Sequence, residues 1–150
     1  MGNMMLRQVY EAKTLSASGE KVADGNSDAM ALQTMINAFA FTLDVTAAAT
    51  DVQDTLDVYV QTLLDMVNWV DVVHFPQCLG NGGAVRYIEK IEAQTSEAGF
   101  NVTAALAAGT VRHLLGDRWR VRWDLYESGP ASGSGTGLAI FTFEVTVCPE

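Results

Sequence analysis

The sequence predicts an all-β domain, a β-sandwich or jelly roll, formed as a single unit behind a polar N-terminal arm. Three observations carry this reading. At least six segments alternate apolar and polar residues with a period of two. The layout between them is rich in loops and turn residues, as in GNGG and SGPASGSGTG. No segment reads as a long amphipathic helix.

The bulk composition agrees with a folded domain. The chain has 150 residues, 49% apolar and 18% charged, which suits one domain able to bury roughly 70% of its unfolded surface. Its formal net charge is −9, from 18 acidic and 9 basic residues. Such a chain is repelled by a phosphate backbone unless its basic groups are strongly segregated. The start, MGNMMLRQVYEAK, lacks the apolar core of a secretion signal, and no run is long enough to span a membrane. The sequence MGNMML also lacks the hydroxyl residue that an N-terminal lipidation signal requires. Cys78 and Cys148 are distant and unpatterned, which predicts two reduced thiols rather than a disulfide or a zinc site.

Along the chain, residues 1–34 form the expected arm, polar and without sustained period, with one short strand near Leu6 to Ala12. The arm is either floppy or ordered by a neighbouring subunit. The sandwich occupies 35–150. Its first strand, AFAFTLDVT, sets Phe39, Phe41, Leu43 and Val45 against Ala40, Thr42, Asp44 and Thr46. TLDVYVQT sets Leu56, Val58 and Val60 against Asp57, Tyr59 and Gln61. The next segment puts Trp69, Asp71, Val73 and Phe75 on one face and Val70, Val72 and His74 on the other. Being apolar on both faces, it reads as a central strand or an interface strand. GNGG, residues 80–83, is a turn signal that favours a strand over AVRYIEKIEAQ. NVTAALAAGTVRHLL reads as a short strand, a turn at Ala107–Gly109, and an irregular or briefly helical piece.

The stretch RWRVRWDL, residues 118–125, packs three arginines and two tryptophans into eight residues. On a strand, the interleaving in sequence becomes separation in space. Trp119, Val121, Trp123 and Leu125 then face the core, and Arg118, Arg120, Arg122 and Asp124 face outward. A single-strand nucleic-acid platform needs its aromatics beside its basic groups, so the pattern argues against one. The arginines are expected to be neutralised by neighbouring carboxylates. If this strand pairs with the last, IFTFEVTV, Glu144 sits opposite an arginine; Asp44 and Asp57 are further acidic partners. The intervening SGPASGSGTG is expected to be a mobile hairpin loop.

No catalytic or metal motif is legible. His74 and His113 stand alone without ligand spacing, and each reads as a satisfied structural group. GNGG lacks the following helix and lysine of a phosphate cradle. Asp44 and Asp57 read as solvated surface charge rather than a paired-carboxylate site. Asn101–Thr103 fits a glycosylation acceptor, which means little without secretion. The expectation is a protein that is not an enzyme and takes no cofactor or metal.

The runs FTLDVTAAATDVQDTLDVYVQT, WVDVVHFPQCLGNGG, DRWRVRW and FTFEVTV, in this order, resemble a group of small tailed-phage virion proteins. The resemblance covers about Phe39 to Val147. It departs at residues 63–68, where those proteins have an Asp-Gly hairpin and this chain has LLDMVN. The resemblance implies a viral (bacteriophage) structural protein, a capsid decoration or cement protein on the major capsid lattice. It implies virion location after synthesis in the host cytoplasm. It also implies a homo-oligomer, trimer favoured, with the major capsid protein or another virion protein as partner, and neither nucleic acid nor membrane. The alternatives are a neck or tail component and a carbohydrate-binding module of a tail structure. Candidate contact residues are Tyr59, Leu63, Leu64, Met66 and Val67, with Arg118, Arg120 and Arg122 as an electrostatic face.

Overall fold

The computed structural model describes residues 12–32, 37–93, 95–127 and 139–149. In chain order its strands are β1 (Lys13–Lys21), β2 (Gly25–Asn26), β3 (Met30–Ala31), β4 (Ala38–Ala47), β5 (Thr55–Leu63), β6 (Trp69–His74), β7 (Cys78–Leu79), β8 (Val85–Glu92), β9 (Thr110–Val111), β10 (Arg118–Tyr126) and β11 (Phe141–Pro149). One sheet runs β1-β11-β4-β8 and the other β2-β10-β5-β6-β9, with β3 also on β10 and β7 also on β5. Every pairing is antiparallel.

The two sheets face each other as a sandwich. If β2 and β3 count as one interrupted strand, the longer strands cross between the sheets at every step except the β5–β6 hairpin. The last lies between the first and third, and the next-to-last lies beside the second and fourth. This is the double Greek-key wrapping of a jelly roll.

The alternation read from the sequence fills the space between the sheets. Phe39, Phe41, Leu43 and Val45 of β4 are buried, as are Leu56, Val58 and Val60 of β5 and Phe141, Phe143, Val145 and Val147 of β11. The tryptophans of β10 cross the gap. Trp119 meets Phe39 at 5.2 Å and Phe41 at 5.6 Å between ring centroids, and Trp123 meets Phe143 edge-on at 5.7 Å. The Trp123 indole N–H donates to the Ala23 carbonyl at 2.9 Å, so its polar end is satisfied.

Four expectations are corrected. The boundary at residue 34 does not separate an arm from the sandwich, because Lys13–Lys21 is a full edge strand on β11 and 25–31 pairs with β10. The period was hidden by two register shifts in β1, which bury Leu15 and Ser16 side by side. Between β2 and β3, Ser27 substitutes for a ladder residue. Its N–H donates to the Val121 carbonyl and its Oγ accepts from the Val121 N–H, both at 2.8 Å. The short strand expected near Leu6 lies outside the described residues up to its last member, Ala12, which precedes β1.

The second correction concerns the final strands. β10 and β11 lie in opposite sheets, so Glu144 is not opposite an arginine; its cross-strand neighbour is Asp44. Asp44 is compensated by Arg86 of β8, 2.9 Å away. Third, β6 is apolar on both faces because of a bulge. Val60 pairs with Val73 and Gln61 with Asp71, so Val72 is an extra residue and both valines are buried. The strand is not central, since beyond it lies the two-residue β9 alone. Fourth, the short strand in 101–111 follows the turn, as β9, and no helix occurs among the described residues. The strand read over AVRYIEKIEAQ is present as β8. The SGPASGSGTG loop lies outside the described residues.

Close backbone approach makes one turn glycine indispensable. A Cβ on Gly80 would lie 1.7 Å from the Asp51 carbonyl oxygen, whereas one on Gly99 would meet nothing within 4 Å. Gly80→Ala should therefore cost about 2–3 kcal/mol in denaturant unfolding. Gly99→Ala should stay within about 0.5 kcal/mol of wild type.

Candidate interaction surface

The outer face of the sheet containing β5, β6 and β10 carries a ladder of polar and aromatic side chains in register. Arg122, Tyr59 and His74 are cross-strand neighbours in one row. The Tyr59 ring stacks on the His74 ring at 4.0 Å, and the Arg122 guanidinium lies 3.8 Å from the Tyr59 centroid. One row towards the β5–β6 hairpin, Arg120 donates to Gln61 at 2.8 Å and lies 4.3 Å from the Trp69 ring. Gln61 in turn donates to Asp71 at 2.8 Å. Arg122 is paired with Asp124 and, at 3.4 Å, with Asp71. The row on the other side holds Asp57 opposite Asp124.

His74 is buried and bonded at both ring nitrogens. Nδ1 is 2.7 Å from the Leu106 carbonyl oxygen, and Nε2 is 2.8 Å from Asp57 Oδ1. A carbonyl and a carboxylate can only accept, so satisfying both contacts requires both nitrogens to donate. Only the imidazolium form of His74 therefore satisfies both contacts at once. Burial opposes that charge, but the Asp57 hydrogen bond, the Leu106 carbonyl and the nearby Asp57 and Asp71 carboxylates hold its pKa above the ordinary histidine value. Burial likewise works against the Asp57 carboxylate. It is outweighed by hydrogen bonds from His74 and Gln77 and by the His74 and Arg122 charges, which hold its pKa below the ordinary range. The expectation that His74 is a satisfied structural group describes its bonding well. Its link to Asp57 was not legible, because the two lie on different strands.

The β5–β6 hairpin closes without the usual glycine. Asp65 Oδ1 accepts the N–H groups of Val67 at 3.0 Å and Asn68 at 2.6 Å, and Oδ2 accepts the Asn68 side-chain amide at 2.6 Å. These bonds, those from Asn68 first, lower the Asp65 pKa. They hold Met66 in the left-handed region, with φ of 68°, a conformation an L-residue adopts only when its surroundings impose it. The turn thereby turns its apolar side chains outward, with Leu64 45%, Met66 88% and Val67 77% exposed.

The eight candidate contact residues thus divide. Leu64, Met66, Val67 and Arg118 are exposed at or beside the hairpin. Leu63 is half-buried, between Arg118 and Trp69 in the ladder. Tyr59, Arg120 and Arg122 are committed to neighbours within the face. Trp69 lies half-buried under Arg120. Asp65 was missed as the residue that fixes the turn; an Asp at the head of a glycine-free hairpin followed by Asn68 was the available signal. No protein-family model, curated protein or solved structure matches the chain.

The His74–Asp57 pair has a defined pH window. Asp57 has a lowered folded pKa, so its contribution is complete above its ordinary value of 3.8 and is lost as pH falls through the folded value. His74 has a raised one, so its contribution is complete below 6.5 and is lost as pH rises through the folded value. The stability difference between wild type and His74→Gln should be greatest between these limits, about 2 kcal/mol, and shrink on both sides. Denaturant titrations at several pH values measure it.

Proposed function

We propose that this chain is a structural protein of a tailed-phage virion, a capsid decoration or cement protein that binds the major capsid lattice and associates with itself, a trimer being favoured. The observation that carries the reading is the hairpin of Leu64, Met66 and Val67, apolar, exposed and held in shape by Asp65. A preshaped apolar projection loses little conformational freedom on docking, which makes it a good anchor for a protein partner. The sequence resemblance adds the virion context. The jelly roll is compatible with it but is used by viral capsid and lectin domains alike, so it does not decide the function.

The arginine strip favours a protein partner over nucleic acid. Arg122 is neutralised by Asp71 and Asp124, Arg120 is held by Gln61 and Trp69, and the chain carries a net charge of −9. The arginine covers over Tyr59 and Trp69 weigh against the glycan-binding alternative, which needs open aromatic faces. A neck or tail location would use the same hairpin and differs in copy number.

Co-sedimentation with undecorated phage heads tests the reading. Wild-type protein should saturate at a fixed ratio to the capsid subunit, on the order of hundreds of copies per particle for a closed lattice. About a dozen copies would move the assignment to the neck, and no binding would remove the head altogether. Leu64→Asp should stay folded and weaken binding roughly 10- to 100-fold, the loss of one buried leucine side chain.

A further inference from the structure

Between β8 and β9 the chain returns to the second sheet through a surface loop, and two cations hold that loop in place. Arg112 donates to the Ala104 carbonyl at 3.3 Å and the Asp71 carbonyl at 3.2 Å, and its guanidinium lies 4.1 Å from the Phe100 ring. The His74 ring donates to the Leu106 carbonyl at 2.7 Å, and the Leu106 side chain is buried. The loop ends where the Gly109 N–H donates to the His74 carbonyl at 2.8 Å, with Gly109 at a φ of +73°.

The two cations differ in kind. A guanidinium keeps its charge at any pH the fold survives, while an imidazolium can lose a proton. The neutral ring carries one N–H for two acceptors. Asp57 is a full carboxylate and the stronger acceptor, so the ring keeps its proton on Nε2. The Nδ1 lone pair then faces the Leu106 carbonyl oxygen at a distance set for a hydrogen bond. Deprotonation thus replaces attraction by repulsion at the loop contact and leaves the contact to β5 intact.

We propose that His74 is a proton-operated latch: its imidazolium holds residues 105–108 against the sheet, and loss of the Nδ1 proton frees that segment while Ala104 stays on Arg112 and β9 stays docked. The charged and titratable groups around the ring are Asp57 and Tyr59 of β5, Asp71 of β6, and Arg122 and Asp124 of β10. The loop itself offers the ring a carbonyl. Asp57 and Asp71 favour the closed, protonated state; burial and the Arg122 charge oppose it. The latch is closed at and below pH 6.5 and opens as pH rises through the raised value of His74. Opening exposes Leu106 and uncovers the His74–Tyr59 stack from the loop side.

Hydrogen exchange on the full chain between pH 5.5 and 9.5, corrected for the intrinsic pH dependence of exchange, tests this beside an NMR titration of the His74 ring. The amide of Thr110, bonded to the Ala107 carbonyl of the segment, reports on the latch, and core amides of β4 and β5 serve as reference. Loop protection should fall about tenfold in step with loss of the ring proton, with the reference unchanged. Asp57→Asn removes the carboxylate that favours the cation, so both transitions should move together to lower pH. A ring already neutral at pH 6 would overturn the latch. So would loop protection that stays flat while the ring deprotonates, or a loop transition that does not follow the ring in Asp57→Asn. The wild-type comparison decides the matter alone if that variant does not fold.

Discussion

The register of β10 is the constraint on which the rest of the structure depends. With Trp119, Val121 and Trp123 turned inward, the strand joins the two sheets through Phe39, Phe41 and Phe143. The same register turns Arg118, Arg120 and Arg122 outward. A slip of one residue would bury three guanidinium groups and expose two indoles, a change no neighbouring strand could absorb. The register is pinned from both sides. On one side β5 pairs along the whole strand, from Arg118 opposite Leu63 to Tyr126 opposite Thr55. On the other, Ser27 and the Ala23 carbonyl hold Val121 and Trp123.

Once the arginines face outward, the composition of the face follows. Each guanidinium near the centre of the sheet is covered or paired: Arg120 by Gln61 and Trp69, Arg122 by Tyr59, Asp71 and Asp124. Asp57 then finds its cation in His74 rather than in an arginine. Among the described residues no buried side-chain polar atom lacks a partner. This face is thus a self-satisfied surface, and exposed apolar side chains lie at its end, where the β5–β6 hairpin projects Leu64, Met66 and Val67.

Much of this was legible in the sequence and some was not, for physical reasons. Strands with strict alternation, such as 38–47, 118–126 and 141–149, declare their inward face residue by residue. Strand β1 does not, because its bulges put Leu15 and Ser16 on the same side. Valines 72 and 73 are both buried for the same reason, which made β6 look like a central strand. Alternation also says which face a residue takes but not which strand lies beside it. Hence the outward arginines were foreseen, while two of the three acidic partners inferred for them were misplaced: Glu144 lies on the opposite sheet, and Asp44 belongs to Arg86. Asp57 does lie on the arginine face and feels the Arg122 charge, but its hydrogen-bonded cation is His74. The exposed hairpin was visible as an apolar run without glycine. The Asp65 bonds that shape it depend on side-chain geometry at a single turn and carry no periodic signal.

The most direct test of the account is where a partner touches. A photo-reactive residue at Met66, on the hairpin, can be compared with one at Ile88, also exposed but on the outer face of the other sheet. Both variants would be bound to phage heads and irradiated. The account predicts a cross-link to a virion protein from position 66, with far less from position 88. Efficient cross-linking from position 88 and none from 66 would contradict it, placing the contact on the β4–β8 sheet and leaving the hairpin as ordinary surface.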